Sequence, residues 1–489
     1  MPEPFPSTES STKSSLHAWA MLLVILVLFA CRNLPWHLDD FDQAKQAFTS
    51  FEMVKEGHWW FQHTPVGRIA TKPPLAGWIS AILYSGTGWW EGAWRLPSLV
   101  GAALILVFLR KKGDALLPNG GMIAMAAFGF TVFTPRIASL VRTDMLLTAC
   151  IFLTGYLILN KVRSGEPWTR RERWQIFATL LASMMIKGPI GYAFLLPGVL
   201  GYTFFCRRFQ IKNAVWSGSW SWFAPLLFFA AWAGIGIWLS PEFYEQVVQR
   251  EFLGRFSTGE NAVHQPRNPF FYIGLIALRW QPWSVILMLL ALAKPVRAAF
   301  RRDPELLWLA CWSLGGLLLM SAVPSKRFDR ILPVIPPLCL LLVAMVRHLE
   351  QSEWRGYSIH KLASLAVAAA FVISVSYAGH DMIQNYRTHQ RALVHFGGQV
   401  RTMVGSKPLA VVSGKDEGML LYTDQTTFTR INDAIDNWQS GQLNWIVLPE
   451  KMLKEKDLQF APYQRLIQTG KIPDKSNAYV LIGRLISAK

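Results

Sequence analysis

Charge is scarce in this sequence. Charged residues fill 16% of its 489 positions and hydrophobic ones 52%, which would leave a soluble protein of this size with far too much apolar surface. Cysteine is scarce too. The five present, Cys31, Cys150, Cys206, Cys311 and Cys339, are odd in number and all sit in apolar stretches, which excludes a disulfide framework and leaves packing as their role. The formal net charge of +18 does not point to nucleic acid, because the basic residues form short clusters between apolar runs, not one stripe or domain. There is no Gly-rich phosphate loop, and no repeat relates one half of the chain to the other.

What the sequence does have is a succession of apolar runs long enough to cross about 30 Å of hydrocarbon. They lie near 17–34, 92–109, 118–135, 140–160, 174–187, 188–206, 217–240, 269–293, 305–323, 329–346 and 362–380. The Ser/Thr/Pro-rich residues 1–16 read as a disordered tail, and the first run as an uncleaved signal anchor. The bulky Phe29 and the spans that follow argue against a lipoprotein cleavage box at "LFAC". Five basic loops, beginning at Arg110, Lys161, Arg207, Lys294 and Arg347, separate the runs. The positive-inside rule puts all five in the cytoplasm. Crossing at every run from a cytoplasmic N-terminus satisfies that rule, provided that the short, Pro- and Gly-containing piece 73–88 is interfacial or re-entrant. The fold class expected is therefore a polytopic α-helical membrane protein of about eleven to thirteen transmembrane helices, in a transmembrane domain over 17–380. The polar segment 381–489, with β-branched runs at 409–413, 444–449 and 478–483 and helical pieces at 416–423 and 450–457, reads as a small α/β domain on the outer face.

The same parity puts 35–91, 136–139, the region of 187, 241–268 and 324–328 outside, and these segments hold the residues with chemical potential. In the first of them, Ala44, Ala47, Phe48, Phe51 and Val54 recur at spacings of three and four, which predicts an amphipathic helix along the membrane surface. Asp42 stands at its start, where an N-cap role is one reading and a chemical role another. Lys72 precedes Pro73-Pro74 at headgroup depth, where a lone Lys commonly snorkels. Yet Arg136, Arg142, Lys187, Arg250, Arg255, Arg267, Lys326, Arg327 and Arg330 also gather on the outer side, against the inside-positive bias. A cationic outer pocket implies an anionic ligand, and a phosphate embedded at the bilayer surface fits.

The succession "DQAKQAF", "GHWW", "TKPPLAGW" and "AWRLPS", followed in order by "RTDMLL", "IKGPIG", "HQPRNPFFY", "QPW" and "SKRFDRILPVIPPL", resembles the bacterial GT-C type polyprenyl-phosphate-sugar glycosyltransferases. That family includes the 4-amino-4-deoxy-L-arabinose lipid A transferases and, more distantly, the protein O-mannosyltransferases. The resemblance covers about residues 15–345 and leaves the C-terminal domain without a motif. Counted back from Gly57, it makes Asp42 the catalytic carboxylate, with Asp39 and Asp40 at the helix entry or as partners. It makes Lys72 a contact of the donor phosphate, joined by Lys45, Arg142, Lys326 and Arg327. Asp144, Lys187, His264, Trp59 and Trp60 are supporting or substrate-contacting candidates. Where many members carry Glu before the Lys-Pro, this chain has Thr71, so no obligatory metal or other cofactor is expected.

The activity implied is that of a bacterial inner-membrane, inverting glycosyltransferase. It would move a sugar from a polyprenyl-phosphate carrier to a lipid A, glycan or protein acceptor on the periplasmic face, with no nucleic-acid partner. A transporter or flippase, or an assembly protein, is the competing class. A transporter predicts charge near the bilayer midplane and repeat symmetry, whereas here the charges cluster at one face and no repeat is seen.

Overall fold

The computed structural model describes residues 8–38, 41–252, 267–350, 353–354, 357–388, 392–412, 416–469 and 478–485. They fall into two compact units. One comprises 1–32, 71–76 and 96–380; the other comprises 33–70, 77–95 and 381–489.

The first unit is helical. Among the described residues, six helices are long and apolar enough to cross a membrane: Asp144–Ser164, Ile190–Phe209, Ser219–Leu239, Pro304–Ala322, Phe328–Arg347 and Lys361–Arg387. Leu96–Leu116 and Arg170–Lys187 are helices at the expected places too, more charged than these six, and the first helix, Thr8–Cys31, differs from expectation in starting within the segment read as a disordered tail. Two expected runs are broken. The run 269–293 divides into Phe271–Arg279 and Trp283–Leu292, which bend by 106°; the break falls at Pro282, which has no N–H to continue the ladder. The run 118–135 is helical only from Gly120 to Gly129, with a further turn at Thr134–Ala138. Main-chain carbonyls freed inside an apolar unit need donors. Trp280 Nε1 donates to Ala127 O at 2.7 Å and Trp283 Nε1 to Phe130 O at 3.1 Å, so the indoles beside one break satisfy the other. Close approach of Leu96–Leu116 to Gly120–Gly129 requires glycine: a Cβ on Gly113 would lie 2.7 Å from the backbone of Gly121.

Ion pairs and hydrogen bonds join loops in two groups. At one end Lys112 meets Glu305 at 3.0 Å, Arg347 meets Glu305 at 3.1 Å and also Asp303, and Lys212 Nζ donates to Gly165 O at 2.5 Å. At the other, Arg142 meets Asp329 and Lys187 meets Asp144. Each group joins only loops that parity puts on one side of a membrane.

The second unit combines the first expected outer segment with the C-terminal segment. Its four-stranded sheet runs Leu409–Val411, Trp445–Pro449, Tyr479–Arg484, Tyr463–Gln468 in spatial order. The first pair is parallel and the other two are antiparallel. Trp438, Ile446, Leu448, Phe460, Val480 and Ile482 form its core. The helix Phe41–Glu56 packs on Glu417–Thr423, and Ala44, Ala47, Phe48 and Phe51 are wholly buried. This differs from a helix lying on lipid: the apolar stripe is covered by protein, because a helix from the C-terminal segment supplies a matching apolar surface in Met419, Leu420 and Leu421.

Candidate active site

In the helical unit the chemistry gathers around the link "SLVRTD" ahead of the helix Asp144–Ser164. Ser98 Oγ holds that link, donating to Leu140 O at 2.7 Å and to Arg142 O at 3.1 Å. Asp144, in the first helical turn, is 4% exposed and accepts from Lys187 Nζ at 2.5 Å. Lys187 closes its own helix, which stops because Gly188 takes φ +72° and caps Met184 O with its N–H at 2.8 Å. Arg142 Nη1 donates to Asp329 Oδ2 at 2.8 Å, and Arg327 Nε lies 3.4 Å from the other oxygen of Asp329. Lys72 and Arg142 both act on the charge of Asp144. Arg142, Lys187 and Arg327 thus lie against two buried carboxylates, with Lys72 within electrostatic reach of Asp144, and the surplus is positive. Such a group suits a phosphate.

The neighbouring loop is held by its own basic residues. Lys326 is buried and donates to Val323 O at 2.6 Å and Arg267 O at 3.1 Å. Arg330 Nη1 donates to Ser325 O at 2.9 Å, and the Arg327 N–H donates to the Tyr272 hydroxyl at 3.2 Å. The Arg136 guanidinium stands over the Phe328 ring, 5.4 Å from its centroid.

In the second unit, Asp42 is half-buried inside the first turn of Phe41–Glu56, where the helix dipole favours a carboxylate. Lys45 is exposed three residues on, on the same face. The entry to this helix is tied by Arg95, which donates to Gln43 Oε1 and to His37 O, each at 3.0 Å. The helix ends at Gly57, φ +80°, whose N–H caps Met53 O at 3.1 Å. Beyond it, Trp78 Nε1 donates to Trp59 O at 2.6 Å, and the Trp60 ring meets the Trp78 ring edge-on at 5.1 Å while staying 65% exposed. Glu52, His58 and His63 converge beside these tryptophans and are the residues able to hold a metal ion among those described. Burial and the nearby His58 hold the His63 imidazole below its ordinary pKa, with Glu52 opposing.

The structure thus brings Arg142, Asp144, Lys187, Arg327 and Lys72 into one neighbourhood, and Asp42, Lys45, Trp59 and Trp60 into one unit. Asp39, Asp40 and His264 lie outside the described residues. Sequence reasoning missed Asp329 as the carboxylate of Arg142, and Glu52 as the partner of two histidines. An acid inside the basic "SKRFDR" was the available signal for the first. The second had only helical spacing, with Glu52 one turn before the helix end.

No protein-family model matches the chain. It is similar to the undecaprenyl phosphate-alpha-4-amino-4-deoxy-L-arabinose arabinosyl transferase 1 of Sodalis glossinidius, 27% identical over 360 residues, 70% of this chain and 61% of that protein. The Pseudomonas paraeruginosa transferase of the same description is 25% identical over 369 residues, 73% and 65%. The match thus spans under two thirds of these relatives' length. Among solved structures, ArnT from Cupriavidus metallidurans bound to undecaprenyl phosphate superposes with a TM-score of 0.74 at 14% identity, over 99% of both chains. The apo oligosaccharyltransferase of Archaeoglobus fulgidus does so at 0.55 and 11%, over 91% of this chain and 71% of that one. The chain is therefore similar in sequence to the undecaprenyl-phosphate-aminoarabinose arabinosyl transferases and has the fold of ArnT.

Proposed function

We propose that the chain is an integral-membrane, inverting glycosyltransferase that moves a sugar from undecaprenyl phosphate to an acceptor hydroxyl at the periplasmic face of the bacterial inner membrane. The observation that carries this reading is the cation-rich cluster of Arg142, Lys187, Arg327 and Lys72 around Asp144 and Asp329, in a chain with the fold of a protein solved with undecaprenyl phosphate. In the reaction, the bond from C1 of the sugar to the phosphate oxygen breaks and the electron pair leaves with the phosphate. The acceptor oxygen bonds to C1 from the opposite face, and its proton passes to Asp42. The product carrier is a phosphate monoester dianion, and stabilising that developing charge is the main electrostatic task. Lys72, Arg142 and Arg327 supply the positive field, with Lys45 beside Asp42. Lys326 holds its loop, since its ammonium is committed to two carbonyls. Asp144 and Asp329 are positioning residues for Lys187 and Arg142. The first donor sugar to test is the relatives' 4-amino-4-deoxy-L-arabinose, and lipid A is the first acceptor.

The test is transfer by purified protein in lipid nanodiscs, followed by mass spectrometry of the acceptor. Asp42→Asn keeps the shape of the residue but cannot take a proton at neutral pH. It should lower turnover by about a hundredfold to ten-thousandfold, the range of a general base, whereas a lost cap costs only ~1 kcal/mol of stability. Asp39→Asn and Asp40→Asn should stay active. A severe loss at either of these with Asp42→Asn active would move the base by two or three positions, and mild effects at all three would remove it from this segment.

A further inference from the structure

The geometry points to a site for one divalent transition-metal ion of the zinc class, formed by Glu52, His58 and His63. One donor atom from each residue lies within 4.8 Å of the others. His58 Nδ1 touches Glu52 Oε1, His63 Nδ1 lies 3.7 Å from the same oxygen, and the two imidazole centroids are 4.1 Å apart. Three donors therefore converge on one small volume. With metal bonds of about 2.0–2.2 Å, the donors of a tetrahedral site sit roughly 3.4 Å apart. The His63 to Glu52 spacing is already close to that, and a bound ion would move His58 back from its contact.

Two features of the cluster are otherwise costly. Glu52 is 3% exposed, and among the described residues neither Lys nor Arg forms an ion pair with it. A buried carboxylate needs a compensating positive charge. His63 Nδ1 is itself buried without a hydrogen-bond partner. A cation between them gives the carboxylate its charge and the ring nitrogen its acceptor for a lone pair.

The backbone around the three residues is already fixed. The His63 N–H donates to Glu52 Oε2 at 3.1 Å, turning Oε1 toward both rings. His63 sits on a small hairpin in which Thr64 N–H donates to Arg68 O at 2.8 Å and Ala70 N–H to Gln62 O at 2.6 Å. Gly57, with φ +80°, reverses the chain between Glu52 and His58. A pre-set frame of this kind is what orients metal ligands. Two imidazoles and one carboxylate select zinc or a neighbouring transition metal over calcium or magnesium, which take oxygen donors. The His58 side chain is 47% exposed, so a fourth position opens to solvent. The ion would tie the end of the helix Phe41–Glu56 to the hairpin that follows Trp59 and Trp60.

The experiment uses tag-free, full-length protein in detergent, stripped with a chelator and titrated with Zn²⁺ against a chromophoric competitor. One Zn²⁺ per chain is expected, and Co²⁺ in its place should give visible d–d absorption. His58→Ala, His63→Ala and Glu52→Gln should each weaken binding by at least about tenfold. His395→Ala, an exposed histidine on the helix Ala392–Val404, should leave it unchanged. Sub-stoichiometric Zn²⁺, or affinity unaltered by all three variants, overturns the site and leaves a hydrogen-bonded Glu–His pair. If Glu52→Gln or His63→Ala fails to fold, His58→Ala decides alone, because that ring is largely outside the packing.

Discussion

At the residue scale, the carboxylates of this chain divide by what surrounds them. Asp144 and Asp329 are buried against cations whose positions are set by other elements, so each holds an ion pair that must be complete to be tolerated. Removing one partner of a buried pair strands the other charge, at a cost of about 3–5 kcal/mol. Asp144→Ala should therefore lower stability by that amount, read as the denaturant midpoint in mixed micelles. Asp144→Ala with Lys187→Met should recover much of the loss, because the double replacement leaves no orphaned ammonium. A midpoint that stays at the wild-type value in Asp144→Ala would mean that Lys187 reaches solvent and the pair is dispensable. Asp42 is different: half-buried and at a helix N-terminus, it is placed to be reached. Its replacement should show in turnover before it shows in stability.

At the element scale, the helices were legible because apolar length is a strong signal, and the runs at 140–160, 188–206, 217–240 and 305–323 match helices within a few residues. The strands at 409, 445 and 479 were legible as buried β-branched runs. Tyr463–Gln468 was not: it is an edge strand with half of its residues exposed and none buried, so no face declares itself. The break at Pro282 was visible as a residue but not as a 106° turn, since apolar composition continues through it. The clearest departure is the helix Phe41–Glu56. Periodicity found its apolar stripe but could not tell lipid from protein as the covering surface. That distinction is measurable. Phe51→Ala should cost about 3–5 kcal/mol, as for a buried core aromatic, in detergent where no bilayer surface remains. Gly418→Ala should also destabilise, because its Cβ would fall 2.6 Å from Leu38 O, a backbone atom with little room to move. Wild-type midpoints for both would restore the surface-helix reading.

At the scale of the whole molecule, the charges argue for a direction across the membrane. The loops joined by Lys112, Glu305, Arg347, Lys212 and Gly165 carry most of the basic clusters, and a bilayer keeps such loops in the cytoplasm. The opposite group, built on Arg142, Asp144, Lys187 and Asp329, is basic against that bias, and a site that receives a phosphate supplies a reason to keep it so. The two groups do not mix, which follows if successive spans alternate in direction. With the basic loops inside, the chain after the helix Ile359–Thr388 is expected to emerge on the outer side, with the C-terminal sheet in the periplasm. Alkaline phosphatase folds only when exported, so a fusion after Lys489 should be active and one after Arg302 inactive. The reverse pattern would put the Arg142 and Asp144 cluster in the cytoplasm, out of reach of a periplasmic acceptor, and the proposed reaction would lose its compartment. Activity at both junctions would mean that an even number of crossings separates Arg302 from Lys489, so that one of the runs 305–323, 329–346 and 362–380 does not span. The count of crossings before Arg302 would also have to change by one.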